Sequence, residues 1–412
     1  MLAALEVIHA EMGDVFRLPL PGFSPVVLVG PEANRFVTVT GRDDLRWRFE
    51  GDPVTRLLKQ GLLVTDGPFH DDLRHRMNPA LHKQMLAGYI EKMWRNTDRI
   101  LDSWTNRSAP DMLVEMRRIA LLILTDTLFR IDLYPQLHRL WPTILRTLAY
   151  ISPGLWLLWP GIPRPGYARA LREMDRFLYE IIAARRALPG APDDLLGLLA
   201  ASPDMSADLI RDQLLTMLIA GHDTSTALLA WALYLLGSHP QAMWQAREEV
   251  DAVLGTAREA PSLEQLNRLD FLEKVINETL RLYPPIHIGN RIAARDLVYQ
   301  GYGIPIGTRV VYSIYLTHRQ EQYWPEPEKF NPQRFSPEQA RQRPHYTFVP
   351  FGAGPRNCIG FAFAQVEAKV VLARILQTFD LQLAPHAGRI HPHMGATLEP
   401  RPGVRMRVQR RI

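Results

Sequence analysis

One cysteine in 412 residues is the scarcest feature of this chain. A single thiol excludes an intramolecular disulfide, and such a chain suits a reducing cytoplasm. Long hydrophobic runs are missing as well. No window approaches the roughly 20 apolar residues of a bilayer span, so no transmembrane segment is expected. Met1 to Asp14 reads as an amphipathic helix interrupted by Glu6 and Glu11. It lacks the basic start and unbroken apolar stretch of a signal peptide. Charge of one sign is in short supply: the net charge is +5, with acids and bases interspersed until Arg401 to Arg411. No basic stripe is interleaved with aromatics, which argues against nucleic acid as a partner and leaves a modest basic face for an acidic protein. There is no GxGxxG turn of a dinucleotide-binding fold, no internal repeat and no glycine/serine linker. Residues 1–412 are therefore expected to form one unit, and 47% hydrophobic content is ample for its core.

What is present is mostly helical patterning. Short extended pieces are expected at Val15 to Leu20 and Val26 to Val29, the second ended by Gly30-Pro31. From about Phe69 to Gln377 most segments carry apolar residues at three- and four-residue spacing. The longest runs from Ser206, an N-cap residue type, to Ser238, where His239-Pro240 ends it. It is about 33 residues, or about 50 Å, long. It is apolar on almost every face and so should cross the core. Helix-poor stretches at Leu297 to Ile314 and from Leu381 onward supply a small sheet. The fold class is mainly α with a minor β region.

The cysteine lies in Phe351-Gly352-Ala353-Gly354-Pro355-Arg356-Asn357-Cys358-Ile359-Gly360. A lone cysteine is commonly a small buried hydrophobe. Here two glycines and a proline make a tight irregular loop, and a strong helix follows from Phe361 to Gln377. A thiol at a helix N-terminus has its thiolate stabilised by the dipole and by free backbone N–H groups, which lowers its pKa. The same N–H groups can bond a sulfur that ligates iron and temper its electron donation. Gly360 lets a flat macrocycle approach the backbone, and Arg356 suits a carboxylate on it. With these residues on view, the chain resembles the cytochromes P-450. Their signature F-x-x-G-x-R-x-C-x-G is met by Phe351, Gly354, Arg356, Cys358 and Gly360, and three further motifs follow over about residues 10 to 405. The resemblance implies haem b held between the long helix and the cysteine loop, with Cys358 as iron ligand. The start reads as short, without the anchor and proline-rich hinge of the microsomal branch.

The second motif is Ala220-Gly221-His222-Asp223-Thr224-Ser225 inside the long helix, matching A/G-G-x-D/E-T-T/S. Polar residues there are costly unless bonded or used. Thr224 and Thr226 can simply back-bond to carbonyls one turn earlier. The resemblance implies more: the helix opens beside Gly221 to make a groove for dioxygen, with Ala220 and Gly221 against the haem. Thr224 then holds water beside the dioxygen and Asp223 links that water to bulk protons, an acid–alcohol relay. His222 is read as structural.

Two propionates need buried cationic partners. His70 and Arg74, four apart on one helical face, match the family's W/H-x-x-x-R pair, and Arg291 matches a further arginine. With Arg356 they make the expected cationic set. Glu278-Thr279-Leu280-Arg281 is the E-x-x-R pattern, followed by Leu282-Tyr283-Pro284-Pro285, with Arg334 downstream next to Gln333, where glutamate is commoner. By resemblance Glu278, Arg281 and Arg334 form a buried structural triad that fixes the cysteine loop.

The activity implied is insertion of one oxygen atom of O₂ into a lipophilic small molecule, with electrons from an external donor, a ferredoxin with its reductase. The substrate pocket carried over from family positions comprises Leu214, Met217, Leu218 and Ala220, Ile286, His287 and Ile288, and Met394 and Thr397. A haem-thiolate peroxygenase or isomerase, and a haem-based gas sensor or carrier, are the alternatives; the acid–alcohol pair Asp223-Thr224 argues against each. His391-Pro392-His393 lacks a supporting third ligand for a metal. By resemblance, Ile151 to Gly166, with Trp156, Leu157, Leu158 and Trp159, joins two helices over the substrate mouth as a lid or a greasy entrance. The lack of an accompanying lysine argues against a membrane-touching tip.

Overall fold

The computed structural model describes residues 2–19, 24–106, 108–154, 164–188, 193–385 and 390–411. Leu20 and the tryptophan-rich tip of the expected lid lie outside them. The long helix spans Ala207–Ser238, and the Ser206 hydroxyl caps it by accepting from the Leu209 N–H. From Ile210 to Leu233 every position is buried except Ala220, Gly221 and Thr224. This central helix packs on the helices Met112–Leu128, Ala168–Ala187, Asp270–Leu282 and Phe361–Thr378. One apolar core therefore surrounds it on several sides.

A five-stranded sheet stands beside the helices. Its order is Val15–Arg17, Val26–Leu28, Arg309–Ser313, Ile288–Ala293, Leu45–Arg46. Val26–Leu28 runs parallel to Arg309–Ser313 and the other pairs are antiparallel. Three two-stranded ribbons complete the β portion among the described residues; one pairs His391–Met394 with Leu398–Arg401. The strand Ile288–Ala293 was not evident from sequence. Its outward residues are only half-buried and it contains Gly289, Asn290 and Arg291, so the apolar alternation is broken.

Candidate active site

The cysteine loop is built by backbone constraint. Gly354 has φ +65°, and a Cβ there would collide with the Thr38 carbonyl. The Cys358 N–H donates to the Phe351 carbonyl at 2.8 Å, and the Phe351 ring meets Phe361 edge-on at 4.7 Å between centroids. Cys358 then sits just before the helix Phe361–Thr378, with Gly360 as its N-cap. A Cβ at Gly360 would meet only the Cys358 Sγ, at 3.9 Å, so the space beside the thiol is open. The thiol itself is accessible, although protein closes in around it. That poor hydration raises the thiol above its ordinary pKa, and the Gly360 N–H and the Arg74 charge only partly oppose it. The shift thus runs opposite to the lowering expected from the helix terminus, with desolvation as its largest cause.

Two elements brace the loop. Arg74, on the helix Gly67–Leu81, commits both terminal nitrogens to Asn357, one to its carbonyl and one to its Oδ1, each at 2.7 Å. It clamps the loop rather than standing free as a cation. The Glu278–Arg281 pair acts from the other side. Arg281 Nε and Nη2 meet the two oxygens of Glu278 at 2.7 and 2.8 Å, and both residues are fully buried. Arg281 also donates to the carbonyls of His318, Pro327 and Lys329. Arg334 Nε is 3.4 Å from Glu278 Oε1, a looser third member, while the Asn331 N–H takes the same oxygen at 2.9 Å. The His318 ring passes the constraint onward, accepting from the Val349 N–H at 3.0 Å two residues before Phe351.

The arginines at 291 and 356 differ in pairing: Arg291 has no carboxylate in salt-bridge contact among the described residues, whereas Arg356 has Asp66. Arg291 is buried, donates to the Asn290 carbonyl at 2.7 Å, and lies over the rings of Trp47 and Tyr312. Arg356 is bonded to Asp66 at 2.7 Å and to the Thr65 carbonyl. Burial lowers both guanidinium pKa values, that of Arg356 to about 10, and the neighbouring Arg291 adds to its cost. His70 is buried and bonded to Asp71 at 2.8 Å; desolvation lowers its pKa against the pull of Asp71.

The central helix is continuous through residues 220–226, so it does not open beside Gly221. Gly221 instead permits close packing: a Cβ there would lie 2.6 Å from Leu124 Cδ1 on the helix Met112–Leu128. Gly221→Val should therefore destabilise the fold. Overpacking costs about 1–3 kcal/mol, against a gain of less than ~1 kcal/mol in helix propensity. Equilibrium denaturation checks this, and an unchanged stability would remove the packing role. Thr224 Oγ1 donates to the Ala220 carbonyl at 2.6 Å and Thr226 Oγ1 to that of His222 at 2.8 Å, the local back-bonding that sequence allowed. Thr224 nevertheless keeps an accessible face.

Asp223 points away from that face. It is 5% exposed, accepts from Arg117 Nη2 at 3.2 Å and from Thr397 Oγ1 at 3.1 Å. Burial raises its pKa against the pull of Arg117 and Thr397. Thr397 is thus a partner of the acid and not a pocket wall. Leu214 and Leu218 also have almost no accessible surface. At about 100° per residue, Met217 falls in line with Ala220 and Thr224, while Leu218 lies a further 100° round and turns into the core. His287 is buried, with Nδ1 unpartnered among the described residues. Its neighbours do the reverse: Ile286 is 41% exposed, and Ile288 and Met394 are half-buried. Sequence reasoning missed Arg117, Glu399 and Glu367. Glu367 is fully buried, accepts from Ser225 Oγ at 2.5 Å, and is pushed up to about 8 by desolvation.

The model of the cytochrome P450 family matches residues 1–404. The chain belongs to the cytochrome P450 family. A Mycobacterium tuberculosis protein carried under the name cytochrome P450 139 is 32% identical, over 99% of this chain and 97% of that protein. Among solved structures, a retinoic acid-bound cyanobacterial CYP120A1 superposes with a TM-score of 0.88 at 28% identity, covering 98% of this chain and 94% of that one. The cytochrome P450DA heme domain gives 0.90 at 27% identity, covering 100% and 93%. The P450 chain is accordingly an oxidoreductase, a haem-thiolate monooxygenase in general, with haem b as cofactor and O₂, a substrate and an electron donor as partners. No described helix is long and apolar enough to cross a membrane. The residues fit a dianionic haem: an accessible thiol beside an open glycine, a buried guanidinium at Arg291 with no carboxylate in salt-bridge contact among the described residues, and a second, half-buried one at Arg356 that Asp66 alone pairs. When bound, that group supplies the oxygen-activating redox chemistry.

Proposed function

We propose that this P450 acts as one catalytic unit in the cytoplasm, inserting an oxygen atom of O₂ into a lipophilic small molecule with electrons from a ferredoxin and its reductase. Cys358 would ligate the iron, and Arg291 and Arg356 would take the propionates, with His70 as a hydrogen-bonding neighbour. Arg74 would serve the site by holding Asn357. The observation that carries this reading is the accessible stripe Ala220, Gly221 and Thr224 on an otherwise buried helix. A hydroxyl on its open face has a buried acid, Asp223, immediately behind it. Such a pair suits delivery of the two protons that reduction of one oxygen atom to water requires. The accessible walls, Ile286, Ile288 and Met394, favour an apolar substrate, with Met217 in line with Ala220 and Thr224 on the helix but buried. The retinoic acid bound by the cyanobacterial relative supports terpenoid acids and fatty acids as first probes. A binding screen read by the haem Soret shift tests the substrate class; probes of both kinds leaving the band unmoved would contradict it.

Thr224→Ala should leave haem content and substrate-induced shifts near wild type, because one small side chain is removed. NADH consumption should continue while product per NADH falls and hydrogen peroxide rises. Asp223→Asn should instead slow consumption as a whole. The ratio of product to peroxide under ferredoxin-driven turnover is the measurement. An unchanged ratio in Thr224→Ala would favour peroxide-driven or isomerase chemistry, which has no need of the relay.

A further inference from the structure

Asp223 shares its cation. Arg117 Nη2 meets Glu399 Oε1 in a very close contact and Asp223 Oδ1 at 3.2 Å, so one guanidinium nitrogen bridges two buried carboxylates. Glu399 lies on the strand Leu398–Arg401 and is 6% exposed. Its other oxygen accepts from Arg401 at 3.3 Å, and Arg401 reaches solvent. Arg117 has slack: its Nε is buried without a partner among the described residues. Its backbone is held, because its carbonyl meets His222 Nε2 at 3.0 Å. That imidazole, pushed down to about 3 mainly by burial, stays neutral and adds no charge. The groups facing Asp223 are thus Arg117, Thr397, Glu399 and the more distant Arg401. Asp223 therefore does not hold the cation alone.

We propose that Glu399 is a positioning residue that competes with Asp223 for the Arg117 guanidinium and so keeps Asp223 able to take up and release a proton. This rests on the reading of Asp223 as the proton-supplying acid. Were Arg117 committed to Asp223 alone, the carboxylate would be locked in its charged form by a charge-assisted bond in a dry site. With Glu399 present, the second negative charge repels a proton-free Asp223 and draws the guanidinium off. Burial already raises the pKa of both carboxylates, in keeping with a site that favours one proton between them.

The sign follows directly. Glu399→Gln removes the competing charge and hands Arg117 to Asp223, so the Asp223 pKa falls. NADH consumption, which needs protonated Asp223, should then fall off at lower pH, by about one pH unit, the scale of removing a nearby unit charge in a partly screened interior. Glu399→Asp retracts the carboxylate from Arg117 and should give a smaller shift in the same direction. Thr397→Val removes a donor to ionised Asp223 and should move the profile the opposite way. An independent readout is infrared titration of the resting protein, following the carboxylic acid band that disappears in Asp223→Asn. Its midpoint should fall in Glu399→Gln and rise in Thr397→Val. A midpoint unmoved by Glu399→Gln overturns the proposal while leaving the role of Asp223 intact. If the Gln variant does not fold, an unmoved midpoint in Glu399→Asp overturns it equally. If Asp223→Asn removes no band and leaves the rate and pH profile of NADH consumption unchanged, the proton-supply reading of Asp223 itself fails, and the proposal falls with it.

Discussion

Arg281→Ala is expected to cost the protein its stable fold and its haem before it costs any chemistry. The guanidinium makes two bonds to Glu278 and three to carbonyls of residues 318, 327 and 329, with no exposed surface. Its removal leaves a carboxylate buried beside only the Asn331 N–H and the looser Arg334. Breaking a buried pair in this way costs about 3–5 kcal/mol, a large part of the about 5–15 kcal/mol that a folded domain has in total. Arg281→Lys should recover little, since an ammonium keeps the charge but cannot span five acceptors in a planar fork. The effect should reach the thiol through His318 and Val349, so the surviving fraction should bind haem weakly. Denaturant midpoint and haem content of the purified protein check this. A variant that holds haem normally and only turns over slowly would show that the pair is catalytic and not structural.

The parts of the fold that could be read from sequence are those set by local pattern. The central helix is apolar all round and closed by Ser206 and His239-Pro240, so its limits follow from periodicity and capping. The cysteine loop is written in consecutive residues, and Glu278 and Arg281 lie one helical turn apart. What could not be read depends on residues distant in sequence. Arg117 reaches Asp223 from a different helix, Glu399 reaches Arg117 from the ribbon strand Leu398–Arg401, and neither sits in a motif. Arg74 looked like a free cation because Asn357 is 283 positions away. The expected groove beside Gly221 came from the family pattern, whereas the glycine's close neighbour Leu124 is fixed by tertiary packing. The Cys358 thiol was expected below its ordinary pKa from its place at a helix terminus. The protein that closes in around the accessible thiol, which sequence does not show, shifts it the other way by desolvation.

Cys358→Ser should produce the other large effect, loss of every property that depends on a sulfur ligand. A serine hydroxyl is smaller and less polarisable and is scarcely ionised near neutral pH, so it cannot replace a thiolate as a strong donor to iron. The fold should survive, because the loop is held by Arg74, by the Cys358 N–H to Phe351 carbonyl bond and by the Phe351–Phe361 contact, none of which involves Sγ. Circular dichroism and the denaturant midpoint should thus stay close to wild type while oxygen insertion is lost. The most direct measurement is the absorption spectrum of the reduced, carbon monoxide-treated protein. The wild type should show the long-wavelength Soret band characteristic of thiolate ligation, and Cys358→Ser should lose it while remaining folded. A Cys358→Ser protein that keeps the long-wavelength band, or a wild type that never shows it, would contradict the assignment of Cys358 as the iron ligand.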